Sequence, residues 1–119
     1  MIRKIPFLKG AFTPLVVPFK NGAVDYDRYA ELIEWQIERG THGVLVNATS
    51  GEPTMLTVEE RGQLAEFAIK TSRGRSPVCA ATASESFEAT AELIDRFDKA
   101  GADSILVVTP FYLRRRNAA

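Results

Sequence analysis

The sequence predicts an α/β fold made of strand–helix repeats. Four short apolar stretches with strand character recur about thirty residues apart, and amphipathic patterns with the period of a helix fill the gaps. The strand-like stretches are apolar on both faces, which is typical of a parallel sheet covered by helices. Segments 39–46 and 100–107 also match in pattern, which is a weak repeat spanning two strand–helix units.

The predicted strands cover residues 11–17, 44–47, 78–81 and 105–108. A first helix is predicted between Asp25 and Arg39, with Gly40 just past its end. The inward stripe of this helix is predicted to consist of Tyr29, Leu32, Ile33, Gln36 and Ile37.

Two further helices are predicted from their end signals. Thr57 and Glu60 have the spacing of a capping box, and Ser84 or Ser86 is placed to cap the last helix, which Gly101 ends. The inward-facing residues are predicted to be Leu64, Ala65, Ala68 and Ile69 in the second helix, and Leu93, Ile94 and Phe97 in the third.

Pattern alone leaves two architectures open for residues 1–119, which we treat as a single partial domain. One is half of a (β/α)₈ barrel, which needs roughly 250 residues and of which this chain would supply about four of the eight strand–helix units. The other is a doubly wound open sheet. A half barrel has unpaired edge strands and an uncovered inner face, so we expect it to self-associate.

Composition excludes several classes of partner. Fifteen basic residues balance fifteen acidic ones, which argues against a nucleic acid or a membrane surface as partner. The run 114–116 of three arginines is interpreted as solvated charge. The single cysteine, Cys79, lies in an apolar strand and is expected to be a buried thiol, which fits a cytoplasmic location.

The loop at residues 48–56 is the candidate site, because ligands of α/β proteins bind at the carboxyl ends of strands. Thr49 and Ser50 place hydroxyl groups beside backbone N–H groups that suit an anion, although both residue types are also common in plain turns. We expect the Glu52 carboxylate to accept bonds from nearby backbone N–H groups. His42 precedes a strand, at the stability end of such a fold, and is given no catalytic role.

Four segments in order carry a resemblance to the dihydrodipicolinate synthase and N-acetylneuraminate lyase family of pyruvate-dependent aldolases, which are TIM barrels. The resemblance covers about residues 8 to 115 and implies the N-terminal half (βαβαβαβ) of a TIM barrel. Its segments are Gly-Ala-Phe-Thr-Pro-Leu-Val-Val-Pro-Phe at 10–19, Gly-Thr-His-Gly-Val-Leu-Val at 40–46 with Thr-Ser-Gly-Glu at 49–52, Leu-Thr-Val-Glu-Glu-Arg at 56–61, and Ala-Gly-Ala-Asp at 100–103 with Val-Val-Thr-Pro-Phe-Tyr at 107–112.

The resemblance implies a role for three residues. The backbone N–H and hydroxyl of Ser50 and the N–H of Thr49 would hold the carboxylate of pyruvate or another 2-keto acid, and the Thr49 hydroxyl would join a proton relay. Tyr112 matches the family tyrosine that reaches into the active site of a neighbouring subunit, although it could instead be a core aromatic. No cofactor and no metal are implied.

Three departures from the family pattern concern the substrate. Ala48 replaces a glycine, Phe111 replaces a tyrosine, and Leu113 stands where the lysine-biosynthetic members have asparagine. These differences favour a relative that uses a different aldehyde partner.

The family's chemistry depends on a lysine in the barrel interior that attacks the ketone of pyruvate. Lys4, Lys9, Lys20, Lys70 and Lys99 all lie before strands, in loops or on outer helices, and the family's nucleophile comes from the sixth strand. We therefore expect a truncated fragment with a divergent tail at 113–119 that is inactive alone. The alternatives are a non-catalytic half barrel and a small anion-binding module.

Overall fold

The computed structural model describes residues 8–112, in which three helices pack on a four-stranded parallel sheet. The sheet order is β1-β4-β5-β6, so its strands follow one another in chain order. A doubly wound sheet reverses its order at a switch point, and this one does not, which confirms the predicted half of a TIM barrel. The elements are β1 (Phe12–Pro14), β2 (Phe19–Lys20), β3 (Ala23–Val24), α1 (Tyr26–Glu38), β4 (Gly43–Val46), α2 (Val58–Ser72), β5 (Val78–Ala81), α3 (Phe87–Ala100) and β6 (Ser104–Leu106).

The helices begin where the sequence predicted. The Asp25 side chain accepts the N–H of Arg28 at 3.1 Å and caps α1. At α2 both bonds of the capping box form, with Glu60 N–H to Thr57 Oγ1 at 3.1 Å and Thr57 N–H to Glu60 Oε2 at 2.8 Å. Ser86, rather than Ser84, caps α3.

The outer strands are shorter than predicted. Only β5 matches its predicted bounds; β1 ends at Pro14, and β6 covers 104–106 rather than 105–108. Pro14 and Pro18 have no N–H group to donate to a neighbouring strand, so they prevent β1 from continuing to residue 17.

A short antiparallel hairpin that the sequence patterns did not predict follows β1. β2 and β3 are joined by Asn21 and Gly22, whose φ values of 51° and 79° are those of a tight hairpin turn. Lys20 therefore lies in a strand, and the prediction that it lies in a loop is wrong.

The core lies between the sheet and the helices. Val44 and Val46 of β4 and Val78 and Ala80 of β5 are fully or almost fully buried on the face that the helices cover. The predicted stripes are confirmed at their centres, because the same core cluster contains Tyr29 and Ile33 of α1, Leu64, Ala65 and Ala68 of α2, and Leu93 and Phe97 of α3.

The opposite face of the sheet is the one that points to the interior of a barrel. Side chains alternate along a strand, so Leu45, Cys79 and Leu106 lie on this face. The thiol of Cys79 is buried and unpaired, as predicted, whereas Leu106 is 44% exposed. The inner face is therefore apolar and partly open. No helix within residues 8–112 has the length and hydropathy to cross a membrane.

Candidate functional site

Two backbone N–H groups in the loop after β4, at the C-terminal edge of the sheet, have no hydrogen-bond partner within residues 8–112. The predicted loop at residues 48–56 contains two 3₁₀ turns, at Thr49–Gly51 and Pro53–Met55. In the first turn the N–H groups of Gly51 and Glu52 bond to the carbonyls of Ala48 and Thr49, at 2.8 and 3.0 Å. The first N–H groups of such a turn have no partner inside it, so those of Thr49 and Ser50 remain available to an anion.

Gly51 brings this turn against the segment that follows β1. A β-carbon at position 51 would lie 3.0 Å from the carbonyl oxygen of Leu15 and 3.5 Å from Val17 Cγ2. Gly51 is buried, so a larger residue would push the turn outward. The glycine therefore fixes how closely the Thr49–Ser50 pair lies to the segment that follows β1.

Glu52 does not behave as predicted. It has a left-handed backbone, with φ 49° and ψ 50°, and links the two 3₁₀ turns. Its side chain is exposed, and within residues 8–112 its carboxylate accepts no hydrogen bond from the backbone. The left-handed turn points the carboxylate to solvent instead.

A cleft of about 850 Å³ opens beside this loop. Its floor includes Leu45 and Leu106 of the inner sheet face, and its rim includes Thr49 and Phe111. Ser50 is exposed and is not part of the lining. The structure thus places Thr49 at the cleft and Ser50 at its outer margin.

Tyr112 lies after β6 at the same edge of the sheet. Its side chain is 83% exposed, so the alternative of a core aromatic is wrong. The backbone N–H groups of Tyr112 and Phe111 both donate to Oε1 of Glu85, the second at 2.7 Å. Glu85, which the sequence analysis did not single out, therefore ties the segment after β6 to the loop after β5.

Arg61 is a second residue that was missed. It is buried and donates from Nη1 to the carbonyls of Thr82 and Ala83, at 3.0 and 2.9 Å. Burial lowers the pKa of its guanidinium group. A signal was present in the sequence, because position 61 lies three and four residues before Leu64 and Ala65, on the inward face of α2.

His42 lies at the other edge of the sheet, where it was predicted. Its Nδ1 accepts the backbone N–H of Ala11 at 3.0 Å. A β-carbon at Gly10 would lie 2.3 Å from the imidazole ring. The ring therefore packs on the start of β1, which is a structural position.

The lysines of the described range lie away from the cleft. Lys9, Lys20, Lys70 and Lys99 are all exposed, and none of the four lines the cleft. Lys4, the arginine run 114–116 and Leu113 lie outside the described residues. Within residues 8–112 no three His, Cys, Asp or Glu side chains cluster as a metal site would require.

Comparison with known proteins agrees with this architecture. Among curated relatives, the 4-hydroxy-tetrahydrodipicolinate synthase of Rhodopseudomonas palustris (strain BisA53) is 42% identical over 107 residues, which is 90% of this chain and 36% of the relative. The chain thus spans about 36% of the length of such relatives.

Solved structures show the same likeness. Dihydrodipicolinate synthase from Aquifex aeolicus superposes with a TM-score of 0.86 and 39% identity, covering 88% of this chain and 36% of that one. A prophage protein of the dihydrodipicolinic acid synthase family from E. coli K12, in complex with pyruvate, gives a TM-score of 0.88 and 33% identity, covering 92% and 37%. The model of the dihydrodipicolinate synthetase family matches residues 7–118. The chain belongs to the dihydrodipicolinate synthetase family.

Proposed function

We propose that this chain supplies the 2-keto-acid binding portion of a Schiff-base, pyruvate-dependent aldolase or lyase. The observation that carries the proposal is the pair of free N–H groups at Thr49 and Ser50, which open a turn at the C-terminal edge of the sheet beside the cleft. The prophage relative that is similar in structure was solved in complex with pyruvate. A carboxylate needs fixed donors, and this turn has them.

The roles that we propose divide between binding and proton transfer. The N–H and hydroxyl of Ser50 and the N–H of Thr49 hold the carboxylate, while Thr49, which lines the cleft, carries a proton on its hydroxyl. Addition of an amine to a ketone and loss of water from the carbinolamine require protons to move on and off oxygen, which a hydroxyl relay supports. Tyr112 is exposed, which suits a side chain that acts in a neighbouring subunit.

We further propose that the 119-residue chain binds the keto acid without forming an imine. An amine that attacks a ketone must be desolvated to be neutral and nucleophilic, and the four lysines of the described range are exposed and outside the cleft. Incubation with pyruvate and borohydride, followed by intact-mass measurement, is expected to show no adduct. A stoichiometric adduct would contradict this part of the proposal.

Substitution at the turn tests the binding role. Ser50→Ala removes the hydroxyl and is expected to weaken pyruvate binding about tenfold, which corresponds to one charge-assisted hydrogen bond. The control Thr71→Val removes a hydroxyl from α2, outside the cleft lining, and is expected to leave affinity within about twofold, since a change away from the site has little effect. Calorimetric titration measures both.

The choice of ligand separates this proposal from its main alternative. Pyruvate should bind more tightly than acetone, which has the ketone but no carboxylate, and more tightly than inorganic phosphate. Tighter binding of phosphate would favour the small anion-binding module, and no binding of any of the three would favour a non-catalytic half barrel.

Self-association is the expected state of the chain. β1 and β6 are the outermost strands of the sheet, each with one side unpaired within residues 8–112. Leu106 and Val107 are 44% and 54% exposed next to the open inner face. Unpaired edges and apolar surface of this kind favour pairing with a second copy. Sedimentation velocity should show dimers or larger species, and a sharp monomer at tens of micromolar would be the contrary result.

The aldehyde partner and the compartment are proposed from single residues. Phe111 lines the cleft with a ring that lacks a hydroxyl, so we propose an aldehyde other than the one used by the lysine-biosynthetic members. A chimera in which residues 8–112 replace the matching part of the R. palustris relative tests this by its aldehyde preference.

The buried, unpaired Cys79 suits the reducing cytoplasm, which fractionation of tagged protein checks.

A further inference from the structure

The ends of the two central strands have an unusual backbone in common. Asn47 follows β4 with φ 60°, and Ala83 follows β5, one residue after Thr82, with φ 46°. Left-handed backbone is uncommon for residues other than glycine, with asparagine tolerating it better than alanine, and it persists where the surrounding structure holds it. Both residues line the cleft, and Asn47 is followed directly by the loop that contains Thr49.

Arg61 contacts both of these strand ends, one through its side chain and the other through its backbone. Nη1 of Arg61 donates to the carbonyl of Ala83 at 2.9 Å and to that of Thr82 at 3.0 Å. The carbonyl of Arg61 itself accepts Nδ2 of Asn47 at 3.0 Å. Arg61 lies in the first turn of α2 and does not line the cleft. It therefore contacts the residues of the cleft rim from outside the cleft.

The guanidinium of Arg61 is buried without a carboxylate partner among the described residues, which packing alone does not explain. Arg61 is 8% exposed, and no carboxylate within residues 8–112 forms an ion pair with it. The nearby Asn47 Oδ1 and Thr82 Oγ1 are buried without a hydrogen-bond partner among the described residues. A buried cation that has only carbonyl partners is retained at a cost, which points to a role in geometry.

We propose that Arg61 is a positioning residue of the keto-acid site. Its guanidinium fixes the first turn of α2 to the end of β5 at Ala83, and this keeps in place the Arg61 carbonyl that Asn47 bonds, which sets the position of the Thr49–Ser50 turn. The part of this proposal that concerns keto-acid affinity rests on the proposed function above. The geometry of the strand ends is measured without ligand, so the proposed function and the role of Arg61 can fail separately.

The test uses the whole 119-residue chain and two variants. Arg61→Met keeps the length and apolar stem of the side chain but removes the donors, and Arg61→Lys keeps a charged donor. The control is Arg96→Met, since Arg96 bonds to Glu59 and Glu66 on the helical surface and has no contact with the cleft lining. The readouts are the amide chemical shifts of Ala83, Ala48 and Thr49 without ligand, and the dissociation constant for pyruvate.

Arg61→Met is expected to move the three amide shifts and to weaken pyruvate binding about tenfold, because a displaced turn loses the equivalent of one charge-assisted hydrogen bond to the carboxylate. Arg61→Lys should restore part of both, while Arg96→Met should lower the unfolding midpoint and change neither. If Arg61→Met does not fold, Arg61→Lys decides through the same shifts. Wild-type shifts and affinity in the Arg61 variants would overturn the inference. If the wild type does not bind pyruvate, the proposed function fails, and the ligand-free shifts still decide the role of Arg61.

Discussion

The two edges of the parallel sheet are built differently. At the N-terminal edge side chains bond across neighbouring segments: Thr13 and Thr41 share a hydrogen bond of 2.8 Å, and Asp103 accepts the N–H of Val78 at 2.8 Å. At the C-terminal edge the turn after β4 has N–H groups without a partner among the described residues. The first edge holds strands in register, and the second offers donors to a ligand.

The backbone shows the same difference. Of the five non-glycine residues with positive φ among residues 8–112, three lie at the C-terminal edge: Asn47, Glu52 and Ala83. Unfavourable conformations of this kind gather at functional sites, where the surroundings hold them in place. Changes at the N-terminal edge should therefore affect stability, and changes at the C-terminal edge should affect binding.

The largest effect is expected for Gly43→Ala at the N-terminal edge. A β-carbon there would lie 2.3 Å from the Phe12 ring, which covers the start of β4. We expect a loss of about 2 kcal/mol in unfolding free energy, as for an overpacked core, with pyruvate affinity of the folded protein unchanged. Urea denaturation measures the loss.

A double-mutant cycle identifies the cause of that loss. In a Phe12→Ala background the ring is gone, so Gly43→Ala should cost much less. An equal loss in both backgrounds would mean that the ring is not the reason.

A smaller, local effect is expected for Glu85→Ala at the C-terminal edge. The backbone N–H groups of Phe111 and Tyr112 lose their acceptor, so their hydrogen exchange should rise about tenfold while global stability stays nearly constant. Glu85→Gln keeps an oxygen acceptor and should give an intermediate rate. Unchanged exchange in both variants would show that the segment is held by other contacts.

The smallest effect concerns pH. Hydrogen bonds from Arg75 lower the pKa of Glu34, at an exposed ion pair between α1 and the turn before β5. A carboxyl group whose pKa is lower in the folded state adds stability above its unfolded pKa and loses it as pH falls through the folded value. Stability should therefore decline slightly below about pH 4.5.

A paired variant isolates this contribution. Glu34→Gln should flatten the acid limb of the stability curve, and Glu92→Gln, whose exposed carboxylate has no ion pair within residues 8–112, should not. Identical curves for the two variants would count against a role of the Arg75 pair.

Local signals were sufficient to predict the helices. The capping hydrogen bonds join residues only three positions apart, so the local sequence contains both partners of each bond. The residues that make them are Asp25, Thr57 and Glu60. The family resemblance added the order of the strands, which periodicity could not decide. β5 was bounded correctly because turn residues flank it on both sides.

The missed features depend on contacts between distant segments. Arg61 bonds to residues 21 and 22 positions away, and Glu85 to residues 26 and 27 away. The local pattern places Arg61 on the inward face of α2, but it does not indicate which residues either side chain contacts. The β2–β3 hairpin was overlooked because each of its strands has only two residues, too few for alternation to be visible. Its Asn21–Gly22 pair was nevertheless a turn signal.

The central claim is that a keto acid binds at the turn after β4, and amide-resolved titration of the labelled chain with pyruvate tests it most directly. We expect saturable shifts that are largest at Thr49, Ser50 and Gly51, with Ala11 and His42 unmoved. Shifts centred on the N-terminal edge or on the helical surface, or no saturable shift at all, would contradict the claim.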